Sequence, residues 1–74
     1  MAIQNEAELE FIIFAVENTA NRLSIPANRL YTVLRQSGLL QDYLEANYEV
    51  LHTQDKEYII NDLLDVMKER GIAV

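Results

Sequence analysis

Apolar residues recur at every third or fourth position along almost the whole chain, and only Pro26, Gly38 and Gly71 punctuate the pattern. This spacing is typical of amphipathic helices, because residues three and four apart lie on the same helical face. Proline favours the start of a helix and glycine its end, so the interruptions divide the chain into helical segments. The pattern predicts an all-α fold, a compact bundle of four helices with short connections, as one domain over residues 1–74.

Capping residues set the expected boundaries of these helices. The predicted helices are residues 5–23, 26–37, 39–50 and 54–70. Asn5 stands at the start of the first helix, and Ser24 and Thr53 precede the second and fourth; all three side chains suit the N-cap position. Gly38 and Gly71 follow the second and fourth helices, where glycine tolerates the left-handed backbone that ends a helix.

The first helix carries more apolar residues than a single buried face needs. In 74 residues without cysteine, stability must come from helix packing or from self-association, since no disulfide can form. The apolar stripe consists of Leu9, Ile12, Ile13, Val16, Ala20 and Leu23, and Phe11, Phe14 and Ala15 widen it. We therefore expect this helix to be covered on more than one side, either as the central helix or by a second subunit.

The one histidine, His52, lies in a polar cluster with Tyr48, Thr53 and Gln54 between the third and fourth helices. We interpret this cluster as structural: His52 bonds the terminal carbonyl groups of the third helix and contacts Tyr48 one turn back. The alternative is a ligand-binding or catalytic site centred on His52. No serine or cysteine nucleophile lies nearby in sequence, and no recognised metal-ligand spacing is present. The sequence therefore predicts no catalytic residue, no metal site and no cofactor.

Four aromatic residues are candidates for an interface with another protein. They are Phe11, Phe14, Tyr31 and Tyr58. Aromatic side chains are enriched in protein interfaces, but a short chain also needs them in its core. We expect most of them to pack internally and the remainder to contribute to a contact surface.

The charge of the chain opposes binding to nucleic acid. Twelve acidic and six basic residues give a net charge of −6, which repels phosphate backbones. The second and third helices have the spacing of a helix-turn-helix, yet the third carries Asp42, Glu45 and Glu49 and no Lys or Arg. DNA binding through this motif remains a less favoured alternative. The longest apolar run, residues 11–16, is too short to span a membrane, so we expect a cytoplasmic location without nucleic-acid or membrane partners.

Several short segments of the chain form a recognisable pattern, namely residues 11–17, 30–31, 37–38, 42–44, 48–54 and 58–63, of which Tyr-x-x-Leu-His-Thr-Gln over residues 48–54 is the most specific. In these segments the chain resembles a small bacterial family of uncharacterised proteins that share a domain of unknown function. A glycine commonly follows that motif in the family, whereas Asp55 stands here. The resemblance implies no known activity, but such proteins are often encoded beside a larger companion that looks like an ADP-ribosyltransferase.

These observations favour a non-enzymatic protein-interaction module. The acidic charge and the surplus apolar residues of the first helix are the features that favour it. The expected partner is a second copy of the chain or a companion protein, in which case the role is antitoxin-like or regulatory.

Overall fold

The structure, a computed structural model, describes residues 6–73 and is an all-α bundle, as the apolar periodicity predicts. Its elements are α1 (Glu6–Leu23), α2 (Ala27–Ser37), a π-helical segment (Leu40–Glu45), α3 (Tyr48–Leu51) and α4 (Lys56–Glu69). Helix α1 packs against both α2 and α4, and the π-helical segment packs against α2 and α1. The predicted N-cap Asn5 lies outside the described residues.

The core is built around one face of α1. The residues that α1 buries are Phe11, Ile12, Ala15, Val16, Thr19 and Ala20, which recur at helical spacing. Against this face lie Leu30 and Leu34 from α2, and Ile59 and Leu63 from α4. Helix α1 is therefore the central helix of the bundle, covered by α2 on one side and α4 on the other.

The connection between α1 and α2 corrects the role predicted for Ser24. The backbone N–H of Ser24 donates to the carbonyl of Asn21 (3.2 Å), and that of Ile25 donates to the carbonyl of Ala20 (3.0 Å). These two bonds form the Schellman motif that ends α1, with Ser24 in the left-handed region at φ 61°. Ser24 is thus the residue that terminates α1, and Pro26, in extended conformation, is the N-cap of α2.

The third predicted helix, residues 39–50, is not continuous. The backbone N–H of Ala46 donates to the carbonyl of Gln41 (3.2 Å), five residues back, as in a π-helix. The backbone N–H and the side-chain amide of Asn47 both donate to the carbonyl of Tyr43 (3.1 Å and 2.8 Å), but the backbone of Asn47, at φ −108° and ψ 16°, leaves the helical region. The helix is therefore divided into the π-helical segment and the single-turn helix α3.

The start of α4 also differs from the sequence prediction. Thr53 does not cap α4, because its hydroxyl donates to the carbonyl of Val50 (2.7 Å) and its backbone continues the last turn of α3. Asp55 is the N-cap: it is extended, with φ −79° and ψ 170°, and its carboxylate accepts a bond from the N–H of Tyr58 (2.8 Å). Threonine and aspartate both favour the N-cap position, so the residue at which α4 begins depends on where the preceding turn ends.

The two capping assignments predict different costs for alanine substitution. We expect Asp55→Ala to lower the free energy of unfolding by about 1 kcal/mol, because an orphan amide at the start of α4 loses its acceptor. Thr53→Ala is the matched control and should change it by less than about 0.5 kcal/mol, since its hydroxyl is exposed. Urea denaturation of both variants measures the difference. A larger loss for Thr53→Ala than for Asp55→Ala would contradict the assignment.

Both predicted glycine stops are confirmed. Gly38, at φ 86°, follows α2, and Gly71, at φ 68°, follows α4. The N–H of Gly71 donates to the carbonyl of Lys68 (3.1 Å), and the N–H of Ile72 donates to that of Met67 (2.9 Å). This Schellman motif folds Ile72 back against the core, so the end of α4 is fixed by packing as well as by hydrogen bonds.

One ion pair joins the C-terminal end of α1 to the N-terminal end of α4. The guanidinium of Arg22 donates to Glu57 (2.6 Å) and, through its other nitrogen, to the side-chain carbonyl of Asn61 (3.3 Å). Both charged side chains are substantially exposed, so water screens the interaction and its contribution is modest. The positive charge of Arg22 is nevertheless paired with Glu57, so it does not offset the acidic residues of α1.

Candidate functional site

Within the polar cluster around His52, the ring of Tyr48 connects α3 to α1. The rings of Tyr48 and His52 are stacked, with centroids 4.6 Å apart, which agrees with the predicted contact one turn back. Tyr48 in turn meets the ring of Phe11 edge to face, with centroids 5.5 Å apart. The short helix α3 thus contacts the buried face of α1 through Tyr48, whose ring also stacks on that of His52.

The remaining features of this cluster do not converge on a ligand. The imidazole of His52 is exposed, and hydrogen bonds among residues 6–73 include none from its ring, so the predicted bonds to helix carbonyls are not made. The Thr53 hydroxyl bonds its own turn, and Gln54 is exposed.

The four aromatic candidates lie in different places. Phe11 is buried, as expected, but Phe14, Tyr31 and Tyr58 are 40%, 39% and 45% exposed, so the expectation that most pack internally was wrong. Of the four, Tyr31 lines the concave surface between α1 and α2. The reason is that the core formed by α1, α2 and α4 is filled mainly by aliphatic residues, which leaves the larger rings at its edges.

That concave surface is a groove of about 250 Å³ between α1 and α2. Its lining residues are Leu9, Ile12, Ile13, Val16, Glu17, Ala27, Asn28 and Tyr31. Ile12 and Val16 form a buried floor, whereas Leu9, Ile13 and Tyr31 stand at the sides with 43%, 46% and 39% of their surface exposed. The groove is therefore largely apolar and open, with polar groups only at its border.

The width of the apolar stripe on α1 was the sequence signal for this groove. Leu9 and Ile13 belong to that stripe with Ile12 and Val16, and the width of the stripe predicts that it is covered on more than one side. In the structure, α2 covers the stripe only in part, so Leu9 and Ile13 remain exposed. Their exposure was not visible from spacing, because spacing gives the face of a helix but not its neighbours.

A second polar arrangement joins the π-helical segment to α4. The phenol of Tyr43, whose side chain is buried, donates a hydrogen bond to the carboxylate of Asp62. Burial raises the pKa of Tyr43 well above its ordinary value, and the hydrogen bond to Asp62 and the negative charge of Asp62 raise that pKa further. The pair acts as a structural tie, because the phenol stays protonated over the physiological range.

This tie predicts a measurable loss of stability in Tyr43→Phe. We expect the free energy of unfolding at neutral pH to fall by about 1–2 kcal/mol, since a hydrogen bond to a charged group is lost and Asp62 is only partly buried. Tyr58→Phe, which alters an exposed ring, should change it by less than about 0.5 kcal/mol. Guanidinium denaturation of the three proteins provides the comparison.

The pH dependence of the same variant has a definite sign. A tyrosine whose folded pKa lies above its unfolded value contributes stability that is fully present below about pH 10 and is lost as the pH rises further. Wild-type protein should therefore lose stability in alkali, and Tyr43→Phe should lose less over the same range. An identical alkaline decline in both proteins would show that other groups cause it.

Three further features concern metal binding, membrane crossing and DNA binding. Within residues 6–73, no group of three or more His, Cys, Asp or Glu side chains is placed to hold a metal ion. None of the helices in that range combines the length and hydropathy that crossing a membrane requires. The third helix, which would be the recognition helix of a helix-turn-helix, is interrupted, and Asp42 and Glu49 are exposed on separate parts of it.

A family model matches most of the chain. The model of the family described as "Protein of unknown function (DUF3791)" matches residues 10–70, which include the floor and most of the sides of the groove as well as the His52 cluster. No curated protein and no solved structure matches the chain.

Proposed function

Because the chain belongs to the family of proteins of unknown function DUF3791, we propose its role from its surface: it is a non-enzymatic protein-interaction module that binds another protein through the groove between α1 and α2. The observation that carries this proposal is the grouping of Leu9, Ile13 and Tyr31, three large exposed apolar side chains, around one buried floor. Apolar groups gathered in this way on a small protein mark interaction sites more often than single exposed residues do.

The grouping is what separates these residues from the other exposed apolar side chains. Val50 is 61% exposed and Phe14 is 40% exposed, but neither lines the groove. Scattered apolar residues of this kind are ordinary on protein surfaces. The groove, in contrast, has a buried apolar floor and an aromatic side chain at its side. Apolar and aromatic residues of this kind are typical of the centre of a protein interface.

The alternative of a ligand site or enzyme centred on His52 has less support. The His52 ring is exposed and stacked on Tyr48, and it does not line the groove. A DNA-binding role has less support as well, since the net charge is −6 and the third helix is interrupted. The partner to test first is the companion protein suggested by the family resemblance, with an antitoxin-like or regulatory role for this chain.

The proposal is tested by capture with three baits. They are wild-type protein, Ile13→Lys in the groove, and Val50→Lys as the matched control, which adds the same charge at an exposed β-branched residue elsewhere. Proteins recovered from the source cells or by co-expression with the companion are quantified by mass spectrometry, and the affinity of each purified partner is then measured. Thermal unfolding monitored by circular dichroism confirms that all three baits are folded.

We expect at least one partner whose affinity falls about 10-fold or more in Ile13→Lys and is unchanged in Val50→Lys, because a charge buried in an apolar interface lacks a partner. Equal recovery by all three baits would contradict the proposal. The same holds if the partner depends on His52 and not on Ile13, as His52→Ala in parallel would reveal.

A further inference from the structure

We infer that the segment bound in the groove is an amphipathic helix with apolar anchors and a basic flank; this inference rests on the function proposed above and adds the chemistry of the partner. The lining residues of α1, from Leu9 to Glu17, span about 12 Å along the helix axis. A groove between two helices that extends over about two helical turns suits a third helix, which presents anchors at i and i+3 or i+4.

The acidic residues along one border of the groove determine which charge the flank of that helix should carry. Glu6, Glu10, Ile13 and Glu17 follow one another on α1 at intervals of four, three and four residues, so they form one stripe along the helix. All four are exposed, and Glu17 itself lines the groove beside Ile13. A helix seated on Ile13 therefore lies beside three carboxylates.

These carboxylates have no cationic partner among residues 6–73. The ion pair of that region is formed by Arg22, the only basic residue of α1, and it already engages Glu57. The exposed basic residues of α2, Arg29 and Arg35, do not line the groove, so its lining carries the negative charge of Glu17 and no positive charge. Lys or Arg on the α1 side of a docked helix would compensate this imbalance, whereas Asp or Glu there would be repelled.

The same charges argue against a second copy as the occupant. Each copy carries a net charge of −6, and two α1 helices facing each other across the groove would place their Glu stripes close together. Like charges across an interface oppose association. A basic helix from a different protein would not be repelled in this way. The experiment below also detects self-association.

The experiment uses three synthetic helical peptides that share the same leucine anchors and differ only in the flank. The flank carries Lys in the first, Gln in the second and Glu in the third. Their dissociation constants with the full chain are measured by titration calorimetry at about 50 mM and about 300 mM NaCl, because salt screens the exposed charges. Ile13→Lys serves as the variant with a blocked groove.

We expect the Lys-flanked peptide to bind at least about 10-fold more tightly than the Gln-flanked one at low salt, and the Glu-flanked peptide to bind most weakly. High salt should narrow the difference, and Ile13→Lys should abolish binding. The double variant Glu10→Gln with Glu17→Gln should remove most of the preference. The control Asp65→Asn with Glu69→Gln, which neutralises two exposed acids of α4, should keep it.

Three results would overturn the inference. The first is equal binding of the three peptides, or a preference for Glu, and the second is that no peptide binds. The third is a concentration-dependent dimer in light scattering that Ile13→Lys abolishes, which would make a second copy the occupant. The proposed function survives these results if a captured partner still depends on Ile13, and it fails separately if no partner does.

Discussion

Replacing Leu44 by alanine is expected to lower the free energy of unfolding by about 2–5 kcal/mol, the largest effect among the substitutions considered. Leu44 lies in the π-helical segment, is completely buried and belongs to the core cluster around α1. Removing its branched end leaves a cavity that the surrounding helices can fill only in part. A single domain of this length is marginally stable, so the variant should be partly unfolded at physiological temperature.

The loss of stability in Leu44→Ala tests whether the interrupted third helix unfolds together with the rest of the core. Val50→Ala is the control, because Val50 is 61% exposed at the neighbouring helix α3 and should tolerate the change within about 0.5 kcal/mol. Chemical denaturation and thermal unfolding measure both variants. A cost below about 1 kcal/mol for Leu44→Ala would mean that the π-helical segment is only loosely attached to the bundle.

The second large effect is a gain of stability in Thr19→Val, by about 1–3 kcal/mol. The Thr19 side chain is fully buried in the middle of α1, and its hydroxyl has no hydrogen-bond partner among residues 6–73. An unsatisfied buried hydroxyl is costly because its bonds to water are lost without replacement. Valine has nearly the same shape and carries no polar atom, so it should fill the site without that cost.

Two further variants identify the cause of this gain. Thr19→Ser keeps the hydroxyl and removes the methyl group, so it should be destabilising. Thr32→Val removes a hydroxyl that donates to the carbonyl of Asn28 (2.9 Å) at the surface, and it should bring no comparable gain. Thermal unfolding of the three variants is the measurement. Lower stability in Thr19→Val would show that the hydroxyl has a bonded partner in solution.

The errors in the predicted helix ends have a common cause. Ser24, Thr53 and Asp55 all have side chains that suit an N-cap, and their local sequence does not distinguish them. Ser24 instead occupies the left-handed turn that ends α1, and Thr53 lies in the turn that follows α3. The choice depends on how many residues the preceding turn needs before the chain can reverse, which packing of the next helix decides.

The interruption of the third helix has a related explanation. Its apolar residues fit regular helical spacing, so no local signal marked the π-helical segment. The segment buries Leu40, Tyr43 and Leu44 together against α1 and α2. The favourable burial of these side chains outweighs the loss of regular hydrogen bonding, and that balance exists only in the folded bundle.

The sequence by itself determined that the chain is helical, that Gly38 and Gly71 end two of its helices, and that α1 has an unusually broad apolar stripe. These properties are local, since they follow from residue spacing and backbone conformation within one helix. The tertiary structure decided that Phe11 is buried while Leu9 and Ile13 are left open beside a stripe of carboxylates. The reason is that exposure depends on how far α2 and α4 extend around α1, which no local pattern encodes.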